Sequence, residues 1–412
     1  MSTQSFGAER QVHSHARRHV SVTPATTVLR RDCPVCGGED LLLSVAFEHL
    51  PVLCNALHPT ASAARTAKTG EFATVFCRDC AHVFNAAFDE NRIGYTQSYE
   101  NSLHFSDRFV AFSDSLVARL TRKYALEGKT IFDIGCGKGD FLKQICRTAG
   151  AKGVGFDKSF AGDREDADLD VQFINDWFDD SYVQGKADFI SCRHVIEHIA
   201  EPVTFLRAIR QHPSVTPETV FYFEVPNALY TLRDLGIWDL IYEHVSYFTP
   251  PSLRAAVEAA GFELLDAGSS FGDQYLYVEA RPGRRHRPAR PSDATRIEAL
   301  MRKFASAYRD KLTHWRGYLT DHSPERAVVW GAGSKGITFV NVVPEADRIG
   351  ALIDLNPHKQ GRFAPCSATP VLAPAALRRR QIDSIIVMNP LYLDEISRAA
   401  ADLGVTAAIV AA

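Results

Sequence analysis

The chain has no apolar run approaching the roughly 20 residues that cross a bilayer. Its first residues, to about Val20, are polar and rich in His and Arg, without the apolar segment of a secretory signal. A cytoplasmic protein with no membrane partner is expected, with residues 1–27 as a disordered tail. An excess of charge of either sign is also missing. The 46 Lys and Arg against 49 Asp and Glu leave −3, which gives no electrostatic reason to expect nucleic acid. Cysteine is too sparse for a disulfide scaffold: nine in 412 residues, four of them in two C-x-x-C pairs, suit a reducing compartment. What is present is a globular composition, 46% hydrophobic and 23% charged. At this length two or three domains are expected.

The run IFDIGCGKGDFL (131–142) carries the most chemistry. Ile131 and Phe132 read as a buried strand ending at Asp133. Gly135, Gly137 and Gly139 allow a tight turn close to a ligand, and Phe141 and Leu142 open a helix. The next strand ends in Asp157, about 20 residues on, where a carboxylate can accept ribose hydroxyls. With Asp133 at the loop, the pattern favours S-adenosylmethionine (SAM) over a dinucleotide, whose pyrophosphate SAM lacks. The alternation of strand and helix continues to about residue 281, as in a doubly wound α/β domain. Asp176 and Trp177 follow its third strand, placed for an adenine or, for the indole, for the core. The fourth strand leads into Arg193, His194, Glu197 and His198, at the strand ends where ligands lie. His194 is the nearest candidate to touch ligand, and Glu197 and His198 are expected on the helix that follows.

Residues 28–95 form a first unit. Cys33, Cys36, Cys77 and Cys80 can complete a tetrahedral four-thiolate zinc site, closed to substrate and therefore structural. A redox role for either pair is the alternative. Tyr95 and Tyr99, four apart, share a face if helical and serve either the site or domain packing. After a basic, proline-rich linker near 281–292, a helix of about 293–320 precedes a second α/β unit. There Gly331-x-Gly333-x-x-Gly336 and Asp354 have the spacing of a dinucleotide fingerprint. That loop binds a nicotinamide cofactor, binds another nucleotide, or only makes the fold's turn.

Taken in order, both C-x-x-C pairs, DIGCGKGDF, EVPN (224–227), IYEHVSYF (241–248), WGAGSKG (330–336) and DLNPHKQG (354–361) resemble one family. It is the zinc-containing, SAM-dependent C-methyltransferases of nucleotide-linked 4-keto-deoxysugars in antibiotic pathways. The resemblance implies a small Cys₄ zinc module, a class I SAM methyltransferase domain (96–285) and a linker helix with a Rossmann-like α/β domain (286–412). It implies SAM and structural Zn²⁺ as cofactors and a small-molecule acceptor, a nucleotide sugar. A monomer is expected, since three joined domains can close the site. The family's Tyr/Glu/His cluster corresponds here to Tyr242, Glu243 and His244. On that basis His244 takes a proton next to a ketone, Glu243 orients it, and Tyr242 or Tyr99 donates to the enolate. The family reads Tyr-His-Glu-His; this chain reads Tyr242-Glu243-His244, so the tyrosine is out of register. Methyl transfer to oxygen or nitrogen of another metabolite is the alternative.

Overall fold

Strands rich in aliphatic and aromatic residues build three sheets in the computed structural model, which describes residues 29–94, 102–182, 185–286 and 289–412. Near the N-terminus β1 (Leu41–Pro51), β2 (Thr69–Cys77) and β3 (Val83–Asn85) run antiparallel. Cys77 ends β2 and Cys80 sits in the turn to β3.

The central sheet begins with β4 (Thr130–Ile134), β5 (Lys152–Phe156), β6 (Val171–Ile174), β7 (Phe189–Arg193) and β8 (Val220–Pro226), all parallel. The chain then leaves it: β9 (Ser246–Tyr247) pairs with β3 and becomes the fourth strand of the N-terminal sheet. On return, β10 (Phe262–Ser270) and β11 (Tyr275–Pro282) form a hairpin whose second strand lies against β8. The order β10-β11-β8-β7-β4-β5-β6, with β11 antiparallel to its neighbours, is the arrangement expected of a class I methyltransferase.

Alternation along these strands sends side chains to opposite faces. Phe132, Ile190, Phe221 and Phe223 join one core, with Leu206 and Ile209 of helix Pro202–Gln211 and Val257 of helix Pro250–Ala260. Ile131, Phe189 and Tyr222 join another, with Leu116 and Leu120 of helix Asp107–Tyr124 and Leu142 of helix Asp140–Ala149. Strand order reverses between β4 and β7, which opens a crevice at their carboxyl ends.

The C-terminal sheet is wholly parallel, in the order β14 (Val371–Leu372), β13 (Ile349–Ile353), β12 (Ala327–Trp330), β15 (Ser384–Val387) and β16 (Ala408–Ala411). The helix before it, Ala294–Asp321, buries Ile297, Met301, Phe304, Tyr308, Leu312, Trp315 and Leu319. That three-and-four spacing is one continuous apolar stripe. Tyr308 meets Phe47 of β1 edge-on at 5.3 Å, and Trp315 meets Phe339 at 5.2 Å. One core therefore runs through the N-terminal sheet, residues 237–242 and the C-terminal domain. No described helix is long and apolar enough to cross a membrane.

Candidate active site

At the carboxyl end of β4 the three glycines all take positive φ, +70°, +58° and +81° at Gly135, Gly137 and Gly139. A methyl group at Gly135 would run into Val195, and one at Gly139 into Phe173, so packing alone demands glycine at both. Asp157 accepts from the Gly137 amide at 2.8 Å and from the Ser159 amide and hydroxyl at 2.7 Å, so it braces the loop. Asp133 is walled in at 3% exposure, accepts from Ser191 Oγ at 2.6 Å, and is pushed up to about 6 by burial. It ties β4 to β7. Beyond β6, Trp177 is 60% exposed beside Asp176, whose carboxylate is held at about 2 by hydrogen bonds from Lys158, Tyr182 and the Trp177 amide. An exposed indole at this point is a face an adenine can cover, and in that respect the site fits SAM.

β7 ends in His194, at φ +55°, a left-handed residue whose amide donates to Glu224 O at 2.8 Å. Glu224 is wholly buried near the end of β8. Its carboxylate takes Arg193 Nε at 2.9 Å and the Tyr222 hydroxyl at 2.8 Å, and lies 3.3 Å from His194 Nε2. Burial opposes its charge, but Arg193 and His194 outweigh that and hold it at about 2. Burial likewise opposes a charge on His194, and the Glu197 and Glu224 carboxylates at 3.6 and 3.3 Å overcome it, raising the imidazole to about 9. His194 faces the cleft as a cation.

Glu197 and His198 lie on a single 3-10 turn, Ile196–His198, ahead of the helix that starts at Pro202, not on that helix as expected from sequence. His198 stands edge-on to His244 at 4.8 Å between ring centres. Burial, then the neighbouring His198 and His194, hold His244 well below the ordinary histidine range, so its ring is neutral.

The structure does not bring the rest of the expected cluster to this wall. Tyr242 is fully buried on Gly70, its hydroxyl accepting from the Asp89 amide at 3.0 Å and donating to Asp89 O at 3.2 Å. Glu243 is also fully buried and accepts from the Cys54 amide at 3.0 Å, while its own carbonyl meets His198 Nδ1 at 3.0 Å. Tyr242 and Glu243 form a turn, closed by the His244 amide on Ile241 O at 3.2 Å, and of the three only His244 reaches the cleft. Tyr95 and Tyr99 lie outside the described residues.

The cleft, about 370 Å³, is closed on the far side by the C-terminal domain. Gly331 and Gly333 line it with nothing within 4 Å of where a side chain would begin, whereas Gly336 abuts the Gly331 carbonyl and fixes the helix against its strand. Lys335 pairs with Asp239 at 2.9 Å. Asp354 is engaged by the Ala332 and Asn356 amides at 2.8 and 2.9 Å, with Lys359 Nζ 3.9 Å away. Its carboxylate is thus committed to the loop itself. Gln274 and Asn389 exchange two amide hydrogen bonds, 2.8 and 2.9 Å, from opposite sides. Sequence reading missed Glu224, Gln274 and Asn389. Only Glu224 left a signal, a carboxylate inside the apolar strand VFYFEVP.

In the N-terminal unit the four sulfurs of Cys33, Cys36, Cys77 and Cys80 lie within 4.8 Å of one another, with two pairs at 3.6 Å. Four thiolates at the usual zinc–sulfur length of about 2.3 Å would stand about 3.8 Å apart, so the set suits a tetrahedral metal. The Gly38 amide approaches Cys36 Sγ at 3.4 Å.

A family model described as a methyltransferase domain matches residues 104–267. A second, described as a C-methyltransferase C-terminal domain, matches residues 296–408. The C-methyltransferase NovU of Streptomyces niveus is 23% identical over 397 residues, which cover 89% of this chain and 91% of that protein. Similar solved structures include a SAM-dependent methyltransferase from Aquifex aeolicus, 17% identical over 40% of this chain and 88% of that one, with a TM-score of 0.30. Magnesium protoporphyrin IX methyltransferase from Synechocystis PCC 6803, with bound SAH, is 18% identical over 43% and 84%, with a TM-score of 0.33. The chain is a SAM-dependent methyltransferase that carries, as its third domain, the C-terminal domain of C-methyltransferases.

Proposed function

We propose that the enzyme methylates a carbon next to the ketone of a nucleotide-linked keto-deoxysugar. The observation that carries this is a neutral His244 in a cleft whose opposite wall is a glycine-open loop flanked by Lys335 and Lys359. When bound, SAM supplies an electrophilic methyl. The chain's own part is to make a carbon nucleophile. His244 holds a lone pair at cytosolic pH and takes the α-proton, which is acidic because the carbonyl spreads the resulting charge. The His194 cation on the same wall opposes the enolate charge, and Tyr99 is a further donor proposed on sequence alone. Tyr242 and Glu243 act through packing, the Glu243 carboxylate fixing its own segment on the Cys54 amide so that the main-chain carbonyl can hold His198.

The C-terminal loop takes the acceptor's nucleotide. Lys335 and Lys359 beside this loop are the cations nearest a diphosphate bound there. The name of the relative NovU supports transfer to carbon. On this reading the cysteine cluster holds a structural zinc, and a monomer is complete.

The test is mass spectrometry of the protein incubated with SAM and a panel of thymidine-diphospho 4-keto-deoxysugars. One added methylene, with S-adenosylhomocysteine formed in step, is the expected result. SAM binding with no panel member methylated would overturn the sugar reading and leave a methyltransferase of another metabolite.

A further inference from the structure

A second set of metal donors lies in the cleft, far in sequence from any cysteine pair. Glu197, His198 and His244 each offer one ligand atom, and these atoms lie within 4.8 Å of one another. All three residues line the cleft wall. Two imidazoles and one carboxylate, facing a space that leaves further positions open, are the donor set of zinc hydrolases and of non-haem iron centres.

The set is held in place before any ion arrives. The Val245 amide donates to Glu197 O at 2.8 Å, and His198 Nδ1 meets Glu243 O at 3.0 Å, so the 3-10 turn and the segment 243–245 are joined at two points. A carbonyl can only accept, so Nδ1 of His198 carries the proton and Nε2 the lone pair, which is how an outer carbonyl orients a metal-binding histidine. Glu243 is in turn pinned by the Cys54 amide. Glu197 is 1% exposed; its Oε1 lies 3.6 Å from His194 Nδ1, and its Oε2 has no hydrogen-bond partner among the described residues. A buried carboxylate oxygen without a partner is costly, and a cation is what would relieve it.

We propose that Glu197, His198 and His244 form a second metal site, selective for divalent transition ions such as Zn²⁺ or Co²⁺, and that filling it silences the enzyme. The silencing rests on the reading of His244 as base. An ion on that ring takes the lone pair that the substrate proton needs, so metal and proton compete for one electron pair. Free transition-metal ions thereby act as inhibitors at the reacting centre, while the metal of the cysteine cluster has no part in the effect.

The test uses the full chain with its cysteine site filled with zinc, titrated with Co²⁺. The expected result is one further equivalent, with weak visible bands and none of the intense charge transfer that thiolate ligation gives, and turnover falling in proportion. Glu197→Gln and His198→Asn, each checked for unchanged zinc content and circular dichroism, should weaken that equivalent by at least the roughly 10–100-fold that losing even an outer-shell partner costs. No cobalt beyond the cysteine site, or binding unaltered in both variants, would overturn the site. Binding at this site with turnover unaffected would leave the site standing and overturn both the silencing and the role of His244 as base.

Discussion

His244 and Glu243 are neighbours in sequence and face opposite ways, and that fact governs what each can do. His244 stands in the cleft with a neutral ring; Glu243 is buried against Cys54. Replacing His244 with Gln is expected to cut turnover by about 10²–10⁴-fold with SAM affinity intact, as read by single-turnover kinetics and calorimetry. Near-normal turnover would remove it as the base. Glu224 is a different case, a buried charge whose partners Arg193, His194 and Tyr222 hold it at about 2 against an ordinary 4.5. A carboxylate held low stabilises the fold above its unfolded value. That contribution, on the order of 3 kcal/mol, is lost as pH falls from about 4.5 through about 2. Glu224→Gln should lower stability by a similar amount at neutral pH and flatten this acid limb in denaturant titrations. The residue types around the site were legible, because Asp133, Asp157, His194 and His244 stand in recognisable runs. Their directions were not. The segment turns at Tyr242 and Glu243, and nothing local in Tyr242-Glu243-His244 says which member points out.

Among the elements, the strands of the central domain read clearly because each is a short apolar run closed by a turn: 130–134, 152–156 and 171–174 are strands as expected. The stretch HVIEHIAEP misleads, since its apolar spacing suits a helix. The chain instead leaves β7 through a left-handed His194 and makes one 3-10 turn before Pro202 opens the helix. β9 could not be read at all; two residues carry no period, and its partner lies more than 160 residues upstream. The cysteine turns, by contrast, were plain from spacing. Cys77→Ser should lose the bound metal and unfold the N-terminal sheet, seen as loss of zinc by elemental analysis together with a lower melting temperature. A metal-free variant that keeps its melting temperature would refute a structural role for the metal.

At the scale of the whole molecule, the cleft exists only because the carboxyl ends of the central and C-terminal sheets are held toward each other. The Gln274–Asn389 exchange is one clasp across it, and Gln274 also reaches the Tyr230 hydroxyl at 3.3 Å. Gln274→Ala leaves Asn389 without that exchange and should weaken domain closure by about 1–2 kcal/mol. The expected outcome is a KM for the acceptor raised about tenfold with SAM affinity unchanged; equal losses in both would place Gln274 in the SAM site instead. One core joins the N-terminal sheet, residues 228–247 and the C-terminal unit, a long-range packing that no local sequence pattern announces. The pairing of β9 with β3 has a practical consequence for anyone recombining such enzymes. The N-terminal module cannot be exchanged as a cassette cut near residue 95, because its last strand is encoded some 150 residues later, two residues past His244. A chimera must inherit 29–94 and the 241–249 segment from one parent, so the metal module and the residue beside the reacting carbon are passed on as a single heritable unit.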